Sequence, residues 1–281
     1  MTNAKLVVAL GDQLYRVERP WGDLPDGLVS DVTVDSRGHV FVLQRWDCLA
    51  DTTSPRVIEL APDGRRLAAW GGDLIADGHM LAAGGDDRLY VVDRDAHEIV
   101  ICDRGGRRVG GLGERHCPGK PFNHPTDVAI AANGDIFVSD GYAGHHVHRF
   151  SKDGMLIKSW GALGGEPGQF LSPHAVWVMQ DQRIVVADRE NNRVQVFSCA
   201  GDLLAVWTGF YKPMDVWGDG GDNLYITDQV PTVSKLTSDG RLIGRARPVL
   251  NGAHGIWGDL AGNLYLAEIS PSRITRLVPT T

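Results

Sequence analysis

No stretch of the chain approaches the roughly 18 consecutive apolar residues that a membrane-spanning helix needs. Its opening, MTNAKLVVALGDQLYRV, lacks the basic start, apolar core and small-residue cleavage site of a secretory leader. Cysteines are few: Cys48, Cys102, Cys117 and Cys199 stand far apart with no CxxC pair, so neither a disulfide framework nor a zinc knuckle is expected. A reducing, cytoplasmic setting is the expectation. Clustered Lys and Arg are missing as well, and the net charge is -7, which argues against nucleic acid or an anionic membrane as partner. Linker-like runs are also absent, because the 35 glycines fall singly or in pairs spread along the chain, as turn residues do. With 43% apolar and 22% charged residues, the chain has the apolar mass of an ordinary globular protein with a large core.

What is present is a repeat. Six segments align: SDVTVDSRGHVFVLQR from Ser30, HMLAAGGDDRLYVVDR from His79, TDVAIAANGDIFVSDG from Thr126, HAVWVMQDQRIVVADR from His174, MDVWGDGGDNLYITDQ from Met214 and HGIWGDLAGNLYLAEI from His254. Each is an apolar strand, a turn rich in Asp, Asn and Gly, and a second apolar strand, the pattern of a β-hairpin. A third strand follows most hairpins (HEIVICD, HHVHRFS, NRVQVFS). A Gly-bearing turn and a fourth strand, often ending near Trp-Gly, come after it. Four antiparallel strands in a repeat of about 40 to 49 residues describe an all-β, six-bladed β-propeller. Solenoid repeats are usually shorter, and sandwiches do not repeat in sequence. Length alone would allow two domains, but the repeat makes residues 1–281 a single one. The unpaired stretch LVVALGDQLYRVE is expected to close the sixth blade, whose third strand is RITRLVP.

The position that opens the first strand reads Ser30, His79, Thr126, His174, Met214, His254, so histidine occupies blades two, four and six. First strands line a propeller's central channel. Alternate blades therefore aim three imidazoles at the axis about 120° apart, a trigonal cage with one position open, as in catalytic zinc sites. Zinc suits these ligands best, and iron, cobalt or manganese are alternatives. A lone histidine among ten would read as structural, and the shared register sets these three apart.

The column after the hairpin reads Arg45, Arg94, Gly141 with Tyr142, Arg189, Gln229 and Ile269, on loops expected to project over the same face. Arginine is the preferred fork for a carboxylate, and a tyrosine beside a metal can serve as base. The plainer alternatives are ion pairs of these arginines with Asp47, Asp93, Asp188 or Glu190, and a wall position for Tyr142. Asp140, Asp188 and Asp228 are expected to shape turns and pack blades. His145, His146 and His148 resemble a metal tract, but strand alternation puts His145 opposite the other two, and a solvated face is expected.

The run from His124 to Phe197, with PTDVA, VSDGY, PGQF, SPHA and ADRENNRVQVF, resembles the catalytic propeller of peptidyl-α-hydroxyglycine α-amidating lyase, within the broader NHL-repeat group. That resemblance implies zinc on His79, His174 and His254, Tyr142 as base, and Arg45 and Arg189 on a carboxylate, with a carbinolamide splitting into an amide and glyoxylate. It does not imply Arg94. The chain departs from the family where Gly252 replaces a methionine and Gly255 an aspartate associated with structural calcium. Calcium is thereby doubtful, although the Val32 and Leu81 carbonyls fall at the family's other calcium contacts. Family cysteines around the DGY and DREN loops are missing, and so is the hydroxylating monooxygenase. The expectation is a monomeric, metal-dependent lyase for a small-molecule or peptide substrate bearing a carboxylate. Its rivals are a non-catalytic propeller that binds a protein or ligand, and a metal-dependent hydrolase on the same fold.

Overall fold

The Asp-, Asn- and Gly-bearing turns reverse the chain because their side chains hold their own backbone. Asp219 Oδ1 accepts the N–H groups of Gly221 and Asn223, and Asp259 Oδ1 those of Ala261 and Asn263. The computed structural model describes residues 6–47 and 49–280, so Cys48 lies outside the described residues. Two strands come first, β1 (Val7–Leu10) and β2 (Gln13–Trp21). Blade one is β3 (Leu28–Val34), β4 (Val40–Arg45), β5 (Val57–Leu60) and β6 (Arg66–Trp70). Blade two is β7 (Gly78–Ala83), β8 (Leu89–Asp93), β9 (Glu98–Cys102) and β10 (Arg108–Leu112). Blade three follows with β11 (Asp127–Ile130), β12 (Ile136–Asp140), β13 (His146–Phe150) and β14 (Leu156–Trp160). In blade four, β15 (Pro173–Val178) and β16 (Ile184–Asp188) lead through a short 3₁₀ turn to β17 (Arg193–Phe197) and β18 (Leu203–Trp207). Blade five is β19 (Pro213–Gly218), β20 (Leu224–Asp228), β21 (Val233–Leu236) and β22 (Leu242–Ala246). Blade six contains β23 (Gly255–Gly258), β24 (Leu264–Glu268) and β25 (Arg273–Pro279).

Every blade is antiparallel and meandering, so the fold is the six-bladed β-propeller read from the repeat. Blades one to five have four strands, whereas blade six has five, in the order β1-β2-β25-β24-β23. Tyr15 lies opposite Pro279 and Trp21 opposite Ile274, so both chain ends share one sheet. Inner strands pack side by side around the ring, from β3 on β7 through to β23 back on β3. The apolar faces of neighbouring blades meet between the sheets, as where Met80, Tyr90 and Ile99 of blade two pack with Val128, Ile136 and Phe150 of blade three. Outer turns key the blades together: Gly240, at φ +85°, lies so close to Trp207 that a Cβ there would come within 2.3 Å of the indole. No helix among the described residues is long and apolar enough to cross a membrane.

Candidate metal centre

The inner edge of each blade faces the channel with backbone groups that no further strand pairs, and buried polar groups of this kind need partners. Histidines of the even blades supply them. Nδ1–H of His79 donates to the Thr126 carbonyl (2.6 Å), that of His174 to Met214 (2.7 Å) and that of His254 to Ser30 (2.9 Å). A carbonyl can only accept, so each Nδ1 carries the proton and each Nε2 keeps its lone pair. All three imidazoles are buried, with ring centroids 4.9 to 5.1 Å apart, and their ligand nitrogens lie within 4.8 Å of one another. Burial holds His79 and His174 well below the ordinary histidine range, reinforced by the neighbouring imidazoles, and lowers His254 to about 3. Neutral rings locked in one tautomer by backbone acceptors are what a metal-binding triad requires, and this group can hold a metal ion.

One residue further along, the odd blades answer with carboxylates. Asp31 Oδ2 accepts Leu81 N–H (2.8 Å), Asp127 Oδ2 accepts Val176 N–H (2.8 Å) and Asp215 Oδ2 accepts Ile256 N–H (2.7 Å). Histidines thus reach forward to carbonyls and aspartates reach forward to amides, so the six inner edges are joined in alternation. Burial raises all three carboxyl groups, Asp215 to about 7, and mutual repulsion raises Asp31 and Asp127 further. The calcium carboxylate implied at position 255 does not fit, because a Cβ on Gly255 would lie 1.8 Å from Asp31 Oδ1.

Tyr142 bends over the triad. Its hydroxyl donates to His79 Nε2 (2.9 Å), stands 3.3 Å from His174 Nε2 and accepts a hydrogen bond from Arg189 Nη1 (3.4 Å). The guanidinium carbons of Arg94 and Arg189 lie 5.4 and 5.3 Å from its ring centroid, within cation–π range. Arg45 faces the triad closely enough that its charge helps to lower all three imidazoles. The structure therefore brings the histidines, Tyr142, Arg189 and Arg45 to one face, and adds Arg94.

The ion pairs differ from the sequence expectation in two cases. Arg189 does bond Glu190 (3.0 Å), but Arg45 grips Asp77 with Nε and Nη2 (2.9 and 2.8 Å) instead of Asp47. Arg94 pairs with Asp77 (2.6 Å) and Asp95 (2.9 Å) instead of Asp93. Asp93 instead accepts the Ala76 and Asp77 amides and pairs with Arg115 (3.3 Å). Asp77 belongs to the connection into β7, outside every aligned column, and so gave no repeat signal. His148 also departs from the expected solvated face. It is buried, its Nδ1 is 2.7 Å from Ser159 Oγ, and its ring stacks edge-on with Phe122 at 5.3 Å. The packed face of β13 wins there because neighbouring blade three residues cover it. Asp140 and Asp188 accept amides from the segments entering their blades, at Asn123 and at Leu171 and Ser172.

Comparison with known proteins follows the same lines. The NHL repeat family matches residues 122–150 and 170–197. A Caenorhabditis elegans protein described as a probable peptidyl-alpha-hydroxyglycine alpha-amidating lyase is 32% identical, over 89% of this chain and 82% of its own length. A peptidyl-glycine alpha-amidating monooxygenase of Xenopus laevis is 30% identical over 63% of the chain, and the match spans only 22% of that longer protein. Among solved structures, a streptogramin B lyase superposes with a TM-score of 0.70 at 14% identity, covering 97% of this chain and 100% of that one, which is a likeness of fold alone.

Proposed function

The chain belongs to the peptidyl-α-hydroxyglycine α-amidating lyase family, and from that footing we propose that it cleaves the C–N bond of an N-acyl-α-hydroxyglycine or related carbinolamide. The observation that carries this reading is the buried triad of His79, His174 and His254 with the Tyr142 hydroxyl 2.9 Å from one imidazole.

His79, His174 and His254 would hold the metal, with zinc favoured by an all-imidazole set. Bound there, it would supply Lewis-acid polarisation of the substrate hydroxyl. Arg45 and Arg189 bind the substrate carboxylate, which fixes the hydroxyl-bearing carbon beneath Tyr142. Tyr142 takes or relays the hydroxyl proton. The O–H electrons become the second C–O bond of an aldehyde, the C–N bond breaks, and the amide nitrogen gains a proton. One carbinolamide thus yields one amide and one glyoxylate, with no net oxidation. Arg94 and Arg189 beside the Tyr142 ring restrain it, and Asp77 keeps Arg45 and Arg94 side by side. The proposal keeps a monomer that acts on a carboxylate-bearing small molecule or peptide, without nucleic acid or membrane. A reducing, cytoplasmic compartment is part of it, and the free thiols of Cys102, Cys117 and Cys199 support that setting.

The test compares the wild-type protein with a His79→Ala, His174→Ala, His254→Ala variant by elemental analysis, and assays both for glyoxylate release from N-benzoyl-α-hydroxyglycine. About one equivalent of transition metal and steady glyoxylate release, both absent from the variant, are expected. A wild-type protein that takes up no metal on reconstitution and releases no glyoxylate would overturn the reading.

A further inference from the structure

The residues around the triad divide by chemistry. Blades one to four contribute Arg45, Arg94, Tyr142 and Arg189, whereas the equivalent positions of blades five and six are Gln229 and Ile269. The neutral third contains a cavity of about 240 Å³ whose wall includes His254 itself, with Met214, Gln229, Gly252, Ala253 and Ile269 around it. No Asp, Glu, Lys or Arg lines this cavity among the described residues. Its walls are fixed. Asn251 Nδ2 donates to the Ser270 carbonyl (2.8 Å), and Gln229 Nε2 lies 3.5 Å from the Met214 sulfur. Gly252 sits at φ +79°, where an added Cβ would come within 2.8 Å of the Asp228 carbonyl, so a side chain at this point of the wall is disfavoured.

We propose that this cavity is the acyl subsite, and that it selects substrates whose acyl group is compact and uncharged; the inference rests on the lyase reading. A carboxylate drawn to the arginines puts the other end of the substrate across the triad, on the side of blades five and six. The group received there meets the Met214 thioether, the Ala253 methyl, Ile269 and glycine backbone, with the uncharged polar side chains of Gln229, Asn251 and Ser270 beside them, a lining that accepts a neutral group and rewards burial of its apolar part. Desolvating a charge against them without a partner is unfavourable. Size sets the second limit. At about 30 Å³ per water, the cavity holds the equivalent of about eight waters, below the roughly 300 Å³ at which drug-sized pockets begin. It therefore accommodates one aliphatic or single-ring group, and the remainder of a longer peptide would extend over the mouth.

The experiment uses the metal-loaded protein and N-acetyl-, N-benzoyl- and N-succinyl-α-hydroxyglycine, with glyoxylate release as readout. Wild-type kcat/KM should favour benzoyl over succinyl at least tenfold. Ile269→Trp, which narrows the rim, should lower kcat/KM for benzoyl at least tenfold more than for acetyl, chiefly through KM. Gln229→Arg, at an exposed wall position, should shift the benzoyl-to-succinyl ratio towards succinyl by a similar factor. Glyoxylate release from all three substrates, with ratios near one and unmoved by either substitution, would overturn the subsite and leave the lyase reading intact. No glyoxylate from any of them would overturn both.

Discussion

Asp77 holds Arg45 and Arg94 side by side, and Asp77→Asn tests what that carboxylate contributes. Its side chain is 8% exposed, and it accepts two hydrogen bonds from Arg45 and an ion-pair contact from Arg94, whose side chains are 25% and 23% exposed. Hydrogen bonds to charged groups contribute about 1.5–3 kcal/mol each when buried, and the partial exposure of both arginines puts these at the low end. Asparagine keeps the shape and one acceptor but loses the charge. The expected loss of stability is about 2–3 kcal/mol, read from urea unfolding curves with an unchanged m-value. In a double-mutant cycle, Arg94→Met should recover about 1 kcal/mol of that loss, since one stranded cation is then removed. Under the lyase reading, a loosened Arg45 raises KM about tenfold, the equivalent of about 1.4 kcal/mol, with a smaller change in kcat. A stability loss below about 0.5 kcal/mol, without coupling to Arg94, would refute the bridging role.

Two further outcomes follow from the channel and the blade contacts. Asp215 is raised from 3.8 to about 7 in the folded protein by burial. Between those values the folded state binds more protons than the unfolded one, so this group's contribution to stability falls as pH rises. Asp215→Asn removes that dependence, so the variant should gain stability relative to wild type as pH rises from about 4 to about 7 and hold the gain above that, whereas a difference independent of pH contradicts it. Gly240→Ala must adopt φ +85° and press a methyl into Trp207, and it should cost more than about 2 kcal/mol by calorimetry; a cost below 0.5 kcal/mol would show that this contact yields freely.

The blades were legible because hairpin and turn chemistry recur in register: turns rich in Asp, Asn and Gly separate the paired strands, and the structure shows Asp219 and Asp259 holding two of them. The histidine column was legible for the same reason: residues at equivalent heights of one ring must meet. The aspartates one position later form an equally regular set, Asp31, Asp127 and Asp215, yet aspartate is so common in these turns that the column did not stand out. Asp77 could not be read from the repeat at all. Its place depends on the path of a connection between blades, where length and conformation differ from repeat to repeat. His148 shows the complementary limit: alternation gives the side of the sheet but not which side Phe122 and the segment entering the blade cover. The fifth strand of blade six likewise depends on how far the amino-terminal segment doubles back after pairing with β25.

That doubled-back segment determines how the ring responds to force. Residues near the two chain ends lie at the same end of the closing sheet, where Tyr15 faces Pro279 and Thr280 N–H donates to the Leu14 carbonyl. Tension between the ends first peels β1 from β2 and then parts β2 from β25 one rung at a time, as a zipper opens, so the rungs never share the load as they would in shear. Loaded in this direction, the clasp yields rung by rung. A force that separates Tyr15 from Pro279 would open the ring at blade six before it disturbed the five other blades.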